Sequence, residues 1–195
     1  NREFFTYQYK SSRGLNFVLA ENKNKIIDGL LGFIPSNKSE TCIWLSLWKV
    51  RNGTSDKTLG LKTLKFLIDD KQPIRISCNG INKDTEVIYQ FLGYKTGQLE
   101  HYYMPNFKRD SWSLAKFKKL DSKTSRVEKD EYELKMISGA EFLQHAEELN
   151  QGVLPMKYSL YFEWRYLQHP NYKYLYAGVL DQDCKIVGLL VIRRV

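Results

Sequence analysis

The run Cys42-Ile43-Trp44-Leu45-Ser46-Leu47-Trp48-Lys49-Val50 constrains this chain more than any other segment. Branched and aromatic residues dominate it, which favours an extended backbone. Alternation sets Ile43, Leu45 and Leu47 on one side and Trp44, Ser46 and Trp48 on the other. Both sides are largely apolar, so the strand needs cover on each face and belongs inside a sheet. Helices must then flank that sheet.

The neighbouring sequence supplies the remaining parts. Arg2 to Tyr9 reads as a short helix, and Asn16 to Ala20 and Ile26 to Ile34 as two strands joined by the turn Glu21-Asn22-Lys23-Asn24. A polar loop, Arg51 to Lys57, leads into a helix from Leu59 to Ile68. Pro73 resets the chain for a strand, Ile74 to Cys78, and a helix follows from Asn82 to Leu92 with Ile88, Phe91 and Leu92 on its buried face. Leu99 to Met104 and Ser111 to Phe117 read as further strands. Strands alternating with helices make the fold α/β (α+β), a mixed central β-sheet flanked by helices.

With 195 residues, 43% of them apolar and 14% aromatic, the chain can bury a domain-sized core, so disorder is not the default. No run approaches the ~20 apolar residues of a membrane span, so no membrane partner is expected, and no secretory signal is visible. Cys42, Cys78 and Cys184 are widely spaced in apolar strands and read as reduced thiols of a cytoplasmic protein. His101, His145 and His169 are scattered, and no metal-ligand spacing occurs. The net charge is +8, with basic residues concentrated between Lys108 and Lys129 around the polar stretch Asp121 to Ser125. A solvated connector suits that segment better than a nucleic-acid surface, because aromatics are not interleaved with the charges. A basic surface also suits a polyanionic ligand.

A second pattern organises the chain. Phe5-Thr6-Tyr7-Gln8-Tyr9 resembles Phe162-Glu163-Trp164-Arg165-Tyr166 in aromatic spacing. Some twenty residues after each, Lys25 to Leu31 matches Lys185 to Leu190 with one residue omitted. A tandem duplication accounts for both matches, chance being the alternative. It predicts a first domain over 1–118, a linker over 119–130, and the start of a second similar domain over 131–195. In the second, Tyr132 to Ile137 is the first strand and Ala140 to Leu149 the first helix. Bare sheet edges in an incomplete copy predict self-association, a homo-dimer being the simplest form.

The helix that begins at Asn82 presents Tyr89 seven residues on and stops at Gly93-Tyr94. Those residues resemble the last helix-and-strand unit of the GNAT superfamily of acyl-CoA-dependent N-acyltransferases, with Thr85 where the family usually has Ala. An ordinary amphipathic helix with an Asn cap is the alternative. In that family the sheet splays after its fourth strand and the pantetheine of the cofactor enters the gap. The resemblance makes Trp44 to Val50 the fourth strand and Thr58-Leu59-Gly60-Leu61 the start of the pyrophosphate-binding helix. Four unpaired amides and the positive helix end suit an anion there. The family's loop reads Gln or Arg, two residues, Gly, one residue, then Gly or Ala. Here Ser55 takes the Gln/Arg place and Thr58 that of the first Gly, with Lys57 and Lys62 as compensating charges.

The resemblance therefore implies transfer of an acyl group from acetyl-CoA or another acyl-CoA to a small amine, such as an amino-sugar. Tyr89 is the implied acid for the leaving thiolate. Val50, Thr58, Leu59, Gly60, Leu61 and Asn82 are the implied cofactor-binding residues. Trp44, Trp48 and Tyr102 would wall the acceptor pocket, Tyr102 and Tyr103 pointing to opposite faces of a strand. No carboxylate stands on the fourth strand to serve as base, leaving Glu100 and His101 on a later one. The different reading is a GNAT-like domain without turnover, serving as a binding or assembly module.

Overall fold

The computed structural model describes residues 2–11, 14–100, 102 and 131–194. In chain order its elements are α1 (Arg2–Tyr9), β1 (Lys10–Ser11), β2 (Gly14–Leu15), β3 (Phe17–Glu21), β4 (Ile27–Pro35), β5 (Cys42–Val50), α2 (Leu59–Lys71), β6 (Arg75–Cys78) and α3 (Lys83–Phe91). Then come β7 (Glu133–Ile137), α4 (Gly139–Leu149), α5 (Ser159–Phe162) with a π-helical turn over Glu163–Leu167, β8 (Tyr174–Leu180) and β9 (Ile186–Arg193). The chain divides into two compact bodies, residues 1–80 with 131–195 and residues 81–130.

In the first body, β3-β4-β5-β6 form a mixed sheet, antiparallel except for the parallel β5–β6 pair. Helix α2 lies on one face and buries Thr63, Leu64 and Leu67 against a core of Leu31, Phe33, Ile43 and Leu45. Amphipathic spacing in α2 makes this possible: its buried residues recur at three- and four-residue intervals. Lys71, in the last turn where a cation suits the helix dipole, sits 5.6 Å from the Phe33 ring centroid.

Strand β5 does not present the two faces that simple alternation predicts. Leu31 pairs with Trp48 but Phe33 pairs with Leu45, so one extra residue bulges from β5 near Ser46 and Leu47. Beyond the bulge the faces exchange. Trp48 joins Leu45 on the α2 side, while Ser46 reaches Tyr9 of α1 on the other, its hydroxyl bonded to the phenol. Trp44 and Trp48 therefore lie on opposite faces, which corrects the shared wall expected from the sequence. Gly32 sits opposite the bulge because α1 comes close. A Cβ there would lie 2.8 Å from Phe17 Cε1 and 3.0 Å from Tyr9 Cε1. Gly32→Ala is expected to cost about 1–3 kcal/mol through overpacking, read as a lower urea midpoint at unchanged slope.

The β3–β4 and β8–β9 hairpins have the same construction. In the first, the Asn22 carboxamide oxygen accepts from the Asn24 and Ile26 amides at 2.9 and 3.2 Å, and Lys25 takes φ 60°. In the second, Asp181 accepts from the Asp183 and Lys185 amides at 3.0 and 2.9 Å, and Cys184 takes φ 60°. Both then shift register at the same place: Ala20 faces Gly29 and Glu21 faces Ile27, as Val179 faces Gly188 and Leu180 faces Ile186. Ile27 is thus equivalent to Ile186 and Gly29 to Gly188. This differs from the sequence match that required an omitted residue. Cys184 lies exposed in a turn, so the expectation that all three cysteines sit in apolar strands is also corrected. Because Asn tolerates the left-handed region better than Cys, Cys184→Asn is expected to stabilise the chain by about 0.5 kcal/mol, read from its thermal midpoint.

β7, β8 and β9 form a three-stranded antiparallel sheet covered by α4 and α5. Ser138 and Glu141 close a capping box at the start of α4, as the Ser-x-x-Glu spacing dictates. The core there is aromatic: Phe142, Ala146 and Phe162 are buried, with Tyr166, Tyr176, Leu189 and Val191 packed against them.

The two segments matched by their aromatic spacing meet each other. Tyr7 donates its hydroxyl to the Trp164 carbonyl at 2.6 Å, and Trp164 donates its indole N–H to the Tyr7 carbonyl at 3.1 Å. Their rings lie 5.0 Å apart, and Arg165 donates to the Gln8 side chain at 2.9 Å. Tyr7 with Trp164, and Gln8 with Arg165, are the very pairs that the sequence match aligns. The contact is therefore reciprocal, as across a two-fold axis. Burial pushes the Tyr7 phenol up to about 12, so it remains a donor at any working pH.

In the second body, the Asn82 side chain accepts from the Thr85 amide at 2.8 Å, while Asp84 and Glu86 add negative charge to the first turn of α3. Gly93, at φ 83°, ends the helix, and the Tyr94 amide reaches back to the Tyr89 carbonyl at 2.9 Å. The buried face is not the expected one. Ile88, Phe91 and Leu92 are exposed, and Tyr89 is buried instead. The turn at Gly93 brings the Tyr94 ring edge-on to Tyr89, at 5.6 Å between centroids. Leu99 and Glu100 carry no strand, while the rest of Leu99 to Met104 except Tyr102, all of Ser111 to Phe117 and the basic run Lys108 to Lys129 lie outside the described residues.

Candidate functional site

Strand β5 begins the site. It pairs with β6 only from Cys42↔Arg75 to Leu45↔Cys78, and β6 then ends. Ser46 to Val50 continue with no strand on that side among the described residues. The bulge, which increases local twist, lies just where that pairing stops.

The start of α2 stands beside the unpaired half of β5. A Cβ on Gly60 would lie 3.4 Å from both Trp48 Nε1 and Val50 Cγ2. The bulge is what turns Trp48 toward this helix start. A shallow groove of about 410 Å3, lined in part by Lys49, Arg51 and Asn52, opens at the same end of β5. Arg51 is not free for a ligand, since its guanidinium pairs with Asp28 at 2.5 Å.

Asp56 organises the loop before α2, and the sequence reading passed over it. Its carboxylate accepts from the Thr58 amide at 2.9 Å, from the Thr58 hydroxyl at 2.7 Å and from Lys62 Nζ at 2.7 Å. The Leu59 amide takes the Asp56 carbonyl at 3.3 Å. Asp-x-Thr before an apolar helical run is a capping signature, and that spacing would have revealed it. Of the four residues expected to hold a pyrophosphate, Thr58 and Leu59 thus have their amides occupied. The Gly60 and Leu61 amides have no partner among the described residues. Lys62, expected to compensate for the altered loop, is bound to Asp56.

Hydrogen bonds from Lys62 and then Thr58 hold the Asp56 carboxyl well below the usual carboxylate range, at about 2. A folded value below the unfolded one means that the pair's contribution is present above the ordinary carboxyl range. It is lost as pH falls through about 2. At neutral pH a negative charge therefore stands beside the helix start. Asp56→Asn should free Lys62, remove that charge and tighten binding of an anionic probe such as inorganic pyrophosphate by about two- to fivefold, read by calorimetry.

The other expected residues are placed as follows. Trp44 lies on the face away from α2, with its indole N–H buried and unpartnered among the described residues. Asn82, Tyr89 and Tyr102 belong to the second body. Asn82 serves as the helix cap, Tyr89 is buried, and Tyr102 is exposed with its hydroxyl bonded to Glu100. That bond leaves Glu100 engaged by a neighbour, and His101 and Tyr103 lie outside the described residues. Among the described residues there is no group of His, Cys, Asp and Glu able to hold a metal ion, and no helix is long and apolar enough to cross a membrane.

No family model and no curated protein matches the chain. Several solved structures resemble part of it, two of them as follows. One, from Pyrococcus furiosus, is provisionally described as an acetyl transferase; it is 14% identical, with a TM-score of 0.36 over 46% of this chain and 64% of its own. The other, also provisionally described as an acetyltransferase, is 18% identical, with a TM-score of 0.33 over 46% of this chain and 66% of its own. The chain thus spans just under two thirds of the length of each, and the likeness is one of distant fold.

Proposed function

We propose that this chain carries a GNAT-like acyl-CoA-dependent N-acyltransferase, acting on a small amine such as an amino-sugar. The observation that carries the reading is the end of β5–β6 pairing after Leu45, with the Gly60 and Leu61 amides nearby unpartnered among the described residues. A thioester arm lying there completes the hydrogen bonding of the unpaired half of β5, and its pyrophosphate takes the two amides. On this reading Tyr89 of α3 is the acid for the departing thiolate and Asn82, at the start of the same helix, the contact for the cofactor arm. The amine attacks the thioester carbonyl in its neutral form. As the C–S bond breaks, the amine's surplus proton passes to solvent water and the Tyr89 phenol is reprotonated from solvent, so no carboxylate on β5 is required.

The proposal includes a tandem duplication, with domains over 1–118 and 131–195 joined by 119–130. The matching hairpins and the reciprocal Tyr7–Trp164 contact support it. Self-association through the outer edge of β9 belongs to the same proposal and is read by light scattering.

One observation favours a second reading, a binding module without turnover: Asp56 occupies the phosphate loop and engages Lys62. Calorimetry with acetyl-CoA tests both. Absence of binding by the full chain removes the enzyme and the acyl-CoA module together. Binding without thiol release over a panel of amino-sugars and polyamines leaves the module.

A further inference from the structure

We propose that a second site, independent of the acyl-transfer reading, binds a monosaccharide bearing a phosphate or carboxylate group. A cavity of about 310 Å3 lies in the first body, where the Ser36 to Thr41 loop meets α1 and α5. It adjoins the start of β5, the opposite end from Ser46 to Val50. Its volume is at the lower end of the range for small-molecule pockets, roughly 300–1,000 Å3.

Asn16 is the residue that points to a ligand. It is 9% exposed, and its backbone is fixed by bonds from its amide to the Tyr9 carbonyl at 2.8 Å and from the Phe33 amide to its carbonyl at 3.1 Å. Its carboxamide makes no hydrogen bond among the described residues and lines the cavity. The carboxamide opens onto the cavity, where solvent or a ligand can satisfy it. With one acceptor and two donors side by side, it suits neighbouring hydroxyls of a sugar.

The surrounding walls agree with that chemistry. Tyr158, Tyr161 and Trp164 supply flat apolar surfaces of the kind that pack on sugar faces. Burial pushes the Tyr161 phenol up, so it enters as a neutral donor. Lys10 and Lys38 are exposed at the cavity and have no carboxylate partner among the described residues. The lining carboxylate, Glu40, is already neutralised by Lys71 at 2.8 Å. Cationic charge is therefore left over, and it calls for an anionic group on the ligand.

These walls are held in place before any ligand arrives. Asn37 accepts from the Cys42 amide at 2.9 Å and donates to Ser39 and Thr41 at 2.9 and 2.8 Å, which shapes the loop carrying Lys38. The buried Ser36 hydroxyl donates to the Met156 carbonyl at 2.8 Å, tying down the segment that leads to Tyr158. The reciprocal bonds with Tyr7 fix Trp164. Pre-organisation of this kind lowers the cost of binding.

Calorimetry and ligand-observed NMR on the full chain, with glucose 6-phosphate, glucuronate, glucose and inorganic phosphate as probes, test the assignment. The expected result is that at least one anionic sugar binds more tightly than glucose or phosphate, and the two anionic sugars distinguish a phosphate from a carboxylate. Asn16→Leu and Lys38→Ala should each weaken that binding at least fivefold. Lys38 is on the surface, so its variant should melt with the parent and keeps the test meaningful if Asn16→Leu fails to fold. Failure of both anionic sugars to bind at millimolar concentration overturns the proposal. So does phosphate binding as tightly as the sugars, or affinity that Lys38→Ala leaves unchanged.

Discussion

Phe142→Ala is expected to destabilise the chain by about 3–5 kcal/mol, the range for removing a buried aromatic ring. The Phe142 side chain is 1% exposed and stands at the centre of the α4–α5 core. Its ring meets Tyr176 at 4.8 Å, Phe162 at 5.8 Å and Tyr166 at 6.2 Å, the last two edge-on. Edge-to-face pairs of this kind add to burial alone. The surrounding groups are aromatic rings on three separate elements, so they close only partly over the space left behind. Urea denaturation measures the effect. A loss below about 1 kcal/mol would mean that the core collapses onto the gap and that Phe142 is not its keystone.

If the proposed acyl transfer holds, Tyr89→Phe should lower turnover at least ~100-fold while leaving affinity for acetyl-CoA unchanged, as expected when a general acid is removed. The substitution is structurally mild. It keeps the ring that packs against Tyr94 and removes only the hydroxyl, so α3 and its Gly93 stop should persist. Circular dichroism and thermal midpoint verify that persistence. Equal loss in affinity and rate would instead assign Tyr89 to positioning the cofactor. An unchanged rate would remove it from the chemistry.

What was legible in the sequence was local. The limits of β5 coincide with the Cys42 to Val50 run, because a stretch rich in branched and aromatic residues favours one backbone state wherever it is placed. Asn82 caps α3 and Gly93 ends it, since an amide acceptor and a left-handed turn act within a few residues. The similarity between the two aromatic segments was also readable, as a plain repetition of spacing.

Only the tertiary structure decided how these pieces face one another. Strand alternation assumes an unbroken ladder, and the bulge at Ser46 and Leu47 arises from pairing with β4, so the separation of Trp44 from Trp48 had no local signal. The exposure of Ile88, Phe91 and Leu92 likewise depends on what the helix meets, and apolar spacing alone does not specify the partner. Short-range hydrogen bonds and backbone preferences are encoded residue by residue. Register, facing and the cavity at Asn16 come from contacts between segments far apart in the chain, whose free energy appears only once the elements have packed.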